Sequence, residues 1–308
     1  MPVVTLQLSQ TESGNSEGGF VFPRPDCCIY CGSNEGRRTN EHIVPSALFG
    51  ASVLPDSVCE SCRVTTGKFE SYVLKQTFGI HRRAAGYPSR TKKHRRSPPQ
   101  KAITVINSDG SESDIQSDWL PPLSITMPIM DAPSLAYSAP LAAIATVHRL
   151  ESFSVASDVN QAVRFGGGVC PVRMRFGPYH PFQFCQFLAK VAHSHATAVV
   201  GVAGFRPLLR DFLLYGRGDH RMFVGGEVDI PREQDELFSV GLGKFTTLGH
   251  RNYLAVKIRL FSYMKVPVYT VIVGDSFDED IFSVKNGVYA KAVKISLVGE
   301  DGQPLTDL

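Results

Sequence analysis

The stretch CIYCGSNEGRRTNEHIVP, residues 28–45, decides the fold. It opens on a cysteine pair, Cys28 and Cys31. It closes on an acid–histidine pair, Glu41-His42, followed by the turn-forming Pro45. A second pair, Cys59 and Cys62, follows in SVCESC, and then a run of helical character, TTGKFESYVLKQTF, residues 65–78. The thiolates of a C-x-x-C turn point the same way, so two such turns close a tetrahedron around Zn²⁺. Cys28, Cys31, Cys59 and Cys62 are therefore the expected ligands of a structural zinc. A C-x3-C turn using Cys27 and Cys31 is the geometric alternative. The gap from Gly32 to Val58 exceeds the roughly 15–20 residues of a simple four-cysteine ribbon, so something is inserted between the knuckles. Redox disulfides and buried free thiols are the competing readings. Two matched pairs in a small loop-rich unit favour zinc. Cys170 and Cys185 sit in apolar contexts that suit core packing.

The totals bound the rest. At 308 residues and 43% hydrophobic, the chain is long enough for two domains or one large one. The net charge of +3 is too small to identify a partner, but its distribution is uneven. No Asp or Glu occurs from Ser71 to Ser108, a window holding Lys75, Arg82, Arg83, Arg90, Lys92, Lys93, Arg95, Arg96 and Lys101. The remainder is acidic. The N-terminus lacks a basic start and an apolar run, so it does not read as a signal peptide. No stretch of about 18 apolar residues suggests a membrane span. Cysteines grouped in C-x-x-C pairs in a chain this long point to a reducing, cytoplasmic setting.

Along the chain, residues 1–25 read as a flexible lead-in, with FVFPRP able to pack just before the cysteines. Residues 26–80 form the cysteine-bearing unit. Residues 81–101 read as a basic connector, with His81 and His94 on its surface. Residues 102–308 form a larger domain of unassigned function. There AITVI and PVRMRF are expected strands, and PSLAYSAPLAAIATVHRLES is expected to be helical from about Pro140. PFQFCQFLAKVAHSHATAVVG is the strongest helix, with Gly201 at its end. PLLRDFLLYG is a short helix. ELFSVGLGKFTTL, NYLAVKIRLF, PVYTVIVGD and VYAKAVKISLV are expected strands. Leu254, Val256, Ile258 and Leu260 alternate as in a half-buried antiparallel strand. His193 and His195 lie on different helix faces and make a poor metal pair.

CIYCG, then EHIVP, then CESC, then KFE resembles the zinc-stapled, four-cysteine branch of the HNH endonuclease family. The resemblance covers residues 26–80 only. It implies a ββα-metal fold, so the fold class expected is α+β. A small zinc-stapled ββα-metal unit would precede a larger mixed α/β domain with antiparallel strands. It implies a metal-dependent endonuclease that hydrolyses nucleic-acid phosphodiester bonds, with DNA as substrate. Glu41 would hold Mg²⁺ or a similar divalent ion, and His42 would activate water. Adjacent strand residues point to opposite faces. Glu41 and His42 therefore converge only if the strand ends or bends there, or if Glu41 reaches the ion from the side. The helix, starting near an N-cap at Thr65 or Thr66, would complete the ion site with Thr66 or Glu70, which share a face. The familiar pattern has Asn after the second cysteine pair, and this chain has Arg63. Phosphate contacts would come from Arg63, Lys68, Arg82, Arg83, Lys92, Lys93, Arg95 and Arg96. The C-terminal domain would recognise target DNA, a protein partner, a second copy or a ligand. The competing reading is a catalytically inactive zinc-stapled module that binds nucleic acid or regulates.

Overall fold

The computed structural model describes residues 19–84, 124–137, 178–227, 237–246 and 252–276 as continuous stretches. Shorter pieces lie at 3–4, 12–13, 87, 103–106, 109, 111–114, 149–154, 172–174 and 297–298. Within these residues the chain is α+β, and its sheets are antiparallel. The expected features at Pro140, His94, Cys170 and most of VYAKAVKISLV lie outside the described residues.

A hairpin comes first. Strand β1 (Arg38–His42) pairs with β2 (Val53–Cys59), placing Arg38 opposite Cys59 and His42 opposite Val53. The register shifts between Thr39 and Glu41. The Asn40 side chain accepts the Asp56 backbone N–H at 3.1 Å, and Asp56 is left-handed at φ 45°. Such an irregularity bends a strand and re-aims the side chains beyond it. Ahead of the hairpin, Phe22 is buried and its N–H donates to the Val53 carbonyl, while Phe20 and Val21 are exposed, so FVFPRP packs down through Phe22 alone. The turn between the strands is tight. An added Cβ on Gly50 would lie 1.8 Å from the Val44 carbonyl oxygen. Gly50→Ala should therefore destabilise the protein by about 1–3 kcal/mol through forced backbone movement. A thermal melt against wild type measures this, and an unchanged midpoint would refute it.

β2 runs directly into helix α1 (Glu60–Tyr72). The N-cap is Cys59, more than a turn before the expected Thr65 or Thr66. Those two threonines are interior: their hydroxyls donate back to the Ser61 and Cys62 carbonyls. This is the bond that lets a hydroxyl residue sit mid-helix. Glu60 in the first turn complements the helix dipole. The helix loosens into π-type turns over Val73–Thr77 and continues as α2 (Gly79–Ala84). The start of the expected basic connector is thus helical. His81, expected on the surface, is 3% exposed, with Nε2 2.7 Å from the Tyr263 hydroxyl.

Helix α3 (Pro181–Val200) is the centre of the molecule. Every residue from Phe184 to Thr197 is buried. It packs on α1 and on a six-stranded sheet. That sheet contains β3 (Phe205–Pro207), β4 (Val224–Gly226), β5 (Phe238–Thr246), β6 (Asn252–Leu260) and β7 (Tyr269–Ser276). Its order is β3-β7-β6-β5, with Glu12–Ser13 outside β5 and β4 pairing with β7. The short helix α4 (Arg210–Tyr215) follows β3, as PLLRDFLLYG predicts. β6 is more buried than simple alternation suggests. Leu254, Val256, Ile258 and Leu260 join the main core, while Tyr253 and Ala255 join Ile272 in a second small core. Arg259 is itself 2% exposed, with Nη2 donating to the Met264 carbonyl at 3.1 Å. Strands also form at Ile103–Ile106 and Val172–Met174, which pair with each other. The end of the stretch expected to be helical is instead a strand, Arg149–Ser154, paired with Ser124–Ile129. One apolar core runs from Phe22 and Tyr30 through α3 to Val273. Among the described residues, no helix is long and apolar enough to cross a membrane.

Candidate functional site

The first knuckle is closed by local hydrogen bonds. Gly32 N–H donates to the Cys28 carbonyl at 2.8 Å, and Cys28 N–H donates to Ser33 O at 2.8 Å. Gly32 sits at φ 78°, a conformation that favours glycine directly after the second cysteine. Cys59 ends β2 and Cys62 lies in the first turn of α1. The Cys59 backbone N–H points at Cys28 Sγ, 3.5 Å away. The four sulfurs of Cys28, Cys31, Cys59 and Cys62 lie within 4.8 Å of one another. Tetrahedral Zn–S bonds of about 2.3 Å place sulfurs about 3.8 Å apart. The Cys31 and Cys59 sulfurs are 3.7 Å apart, far beyond disulfide bonding distance. An all-thiol donor set suits Zn²⁺. Cys27 lies outside the cluster and is half-buried. Burial opposes ionisation of Cys59, but hydrogen bonds from Ser61, the Cys62 N–H and neighbouring thiols bring its pKa down to about 6. Burial and the nearby Cys28 push the Cys62 thiol up. The Cys59 thiolate forms readily while Cys31 and Cys62 resist ionising beside it, a balance that a divalent cation would reverse.

Glu41 follows the bulge in β1 and is buried. Its carboxylate forms an ion pair with Lys190 of α3, and Glu70 of α1 pairs with the same ammonium. The side chains of Lys190 and Glu41 are 6% and 8% exposed, and that of Glu70 is 25% exposed. The Tyr30 hydroxyl donates to Glu41 Oε1 at 3.1 Å, and the Ser194 hydroxyl, 3.0 Å from it, completes the chain. Burial alone would push Lys190 toward neutrality. The two carboxylates reverse this and hold its pKa above the usual range. Burial raises the Glu41 carboxyl, Lys190 opposes that shift, and Glu70 adds to it. Two carboxylates converging on one point form a donor set that suits a small hard cation. The cation there is the ammonium of Lys190. The contribution of α1 to this seat is Glu70 and not Thr66, which is 1% exposed and bonded to the Cys62 carbonyl.

His42 is the last residue of β1 and is half-buried, and among the described residues its Nδ1 has no hydrogen-bond partner. The register of the strand shifts just before Glu41, and the strand ends at His42. Arg63 and Lys68 are exposed on α1, and Arg63 Nε donates to Glu60 at 2.7 Å. Arg82, expected at a phosphate surface, instead donates to the Ala47 and Leu74 carbonyls at 3.0 and 2.7 Å. That role ties α2 to the hairpin turn. The Arg83 side chain and Lys92, Lys93, Arg95 and Arg96 lie outside the described residues.

Sequence reasoning missed Tyr30, Lys190 and Ser194. One signal for Lys190 was available. It is a lone cation in the apolar run FQFCQFLAKVA, and a buried lysine needs a partner. Comparison with family models, with curated proteins and with solved structures finds no match to this chain.

Proposed function

We propose that residues 26–80 form an HNH-type nuclease unit that hydrolyses phosphodiester bonds of DNA. The observation that carries this reading is convergence. Glu41 from β1 and Glu70 from α1 meet on one cation, His42 follows Glu41 directly in the chain, and four thiols gather at the end of β2, the start of α1 and the first knuckle. In this reading zinc on Cys28, Cys31, Cys59 and Cys62 is structural, and it fixes β2, α1 and the first knuckle relative to one another. A divalent ion such as Mg²⁺ held by Glu41 and Glu70 would supply charge neutralisation to the phosphate and the leaving oxygen. His42 accepts the proton of the attacking water. Tyr30 orients the Glu41 carboxylate. Arg63 and Lys68, with the basic residues Arg83 to Lys101, bind backbone phosphates without reading sequence.

The test is nicking of supercoiled plasmid DNA in Mg²⁺ or Mn²⁺. His42→Ala should keep wild-type zinc content and melting while losing about 10²–10⁴-fold in rate, the usual share of a general base. Cleavage at the wild-type rate in that variant would remove His42 from its role. The second reading is a zinc-stapled nucleic-acid-binding module without catalysis. It is favoured by Lys190 in the seat and by Arg63 in place of Asn. DNA binding with no strand breaks in any divalent ion would establish it over the first.

A further inference from the structure

We propose that Lys190 is a built-in competitor for the divalent ion at the Glu41–Glu70 seat, and that its ammonium sets how much ion the site requires. This rests on the hydrolase reading of that seat and adds a residue from outside the unit that carries the resemblance.

Three observations support it. First, Lys190 is the only lysine or arginine in the buried stretch of α3 from Phe184 to Thr197, among phenylalanine, leucine, valine and alanine. Burying an ammonium there is costly unless it is paired, and it is paired with both carboxylates at once. Second, the seat is organised from the α3 side as well. Ser194, one turn further along, bonds the Tyr30 hydroxyl that holds Glu41. Third, the charges do not balance. Two carboxylates face one ammonium, so the seat retains negative charge that a divalent ion would neutralise. An ion can enter only when the lysine stem swings away. The apparent affinity is therefore the intrinsic affinity scaled by the fraction of molecules with an open seat. The resting protein binds the ion weakly, and loss of the ammonium opens the seat.

The experiment uses the full-length, zinc-loaded protein with Mn²⁺ as probe, read by the fall in the electron paramagnetic resonance signal of the free ion. Lys190→Met should bind Mn²⁺ at least about tenfold more tightly than wild type, an effect of about 1.4 kcal/mol. Adding Glu41→Gln to that variant should abolish the gain, and Lys190→Arg should stay at the wild-type level. Lys190→Gln, which can donate hydrogen bonds to the carboxylates, serves if Lys190→Met does not fold. Mn²⁺ should also raise the melting temperature of the neutral variant by linkage, more than it raises that of wild type. Equal Mn²⁺ affinity in wild type and the neutral variants would overturn the proposal. So would neutral variants that stay unfolded with Mn²⁺ present, because the ion would then have failed to replace the ammonium. These outcomes differ from failure of the hydrolase reading. If wild type nicks DNA in a His42-dependent way while affinity is unchanged, only the role of Lys190 falls. If Lys190→Met gains a Glu41-dependent Mn²⁺ site and no variant nicks DNA, the hydrolase reading falls and the competitor remains.

Discussion

If zinc is the metal of the four-thiol cluster, Cys62→Ser should fail to retain it and should not hold the fold of residues 26–80. Cys28 and Cys31 belong to a turn ahead of β1, Cys59 ends β2, and Cys62 sits in the first turn of α1. The hairpin they hold has a strand of only five residues, and that strand is interrupted by a bulge. A metal bound by the native arrangement alone contributes its binding energy to folding, roughly 10–16 kcal/mol in small zinc-binding peptides. That matches or exceeds the about 5–15 kcal/mol by which whole domains are stable. Serine offers a poor oxygen donor in a set built for sulfur, so the loss should be severe. The same core includes α3, and damage should spread as a lowered melting temperature of the whole protein. Zinc content by a chromogenic assay and melting by circular dichroism measure the effect, and chelation of the wild type should reproduce it. A Cys62→Ser protein with wild-type zinc and wild-type melting would remove the metal from the account.

The second large effect is loss of stability in acid, driven by His193 and His195. Both are buried in α3. His193 Nε2–H donates to the Ile29 carbonyl at 2.8 Å, and its ring stacks on Tyr30. Among the described residues, neither ring nitrogen of His195 has a hydrogen-bond partner. Burial lowers each pKa to about 4 from an ordinary 6.5. The unfolded chain takes up protons near pH 6.5, and the folded chain does not until about pH 4. The unfolded state binds more protons across that window, so stability rises with pH. The contribution is complete above pH 6.5 and drains away as pH falls to about 4. Each histidine accounts for roughly 3 kcal/mol at the bottom of the window. His195→Phe should flatten the acid side of the profile by about half. The difference between its slope and that of wild type separates this effect from acid release of zinc. A wild-type melting temperature constant from pH 6.5 to 4 would refute it.

The local elements were legible. The two C-x-x-C pairs announce a cluster because thiol spacing is a short-range geometric property. The 3.6-residue period from Phe182 and the alternation in β6 announce their elements because one side of each must be apolar. Where this reading slipped, long-range packing had overridden local preference. Thr65 and Thr66 look like caps, but β2 delivers Cys59 to that position, and the hydroxyls bond back one turn instead. Arg82 and His81 look like parts of a solvated basic arm. The Ala47 carbonyl of the hairpin turn and the Leu74 carbonyl beyond α1 take the guanidinium, and Tyr263 takes the imidazole.

By itself the sequence determined the thiol cluster, the order hairpin then helix, the central helix Pro181–Val200 and the antiparallel α+β class. Only the tertiary structure decided what sits between Glu41 and Glu70. An ion pair has no periodicity and no spacing rule, and Lys190 meets its partners only because α3 packs against α1. The same contact drives the lysine into the core, where its charge must be matched. Chemistry at that seat is therefore set by two parts of the chain that no local pattern connects.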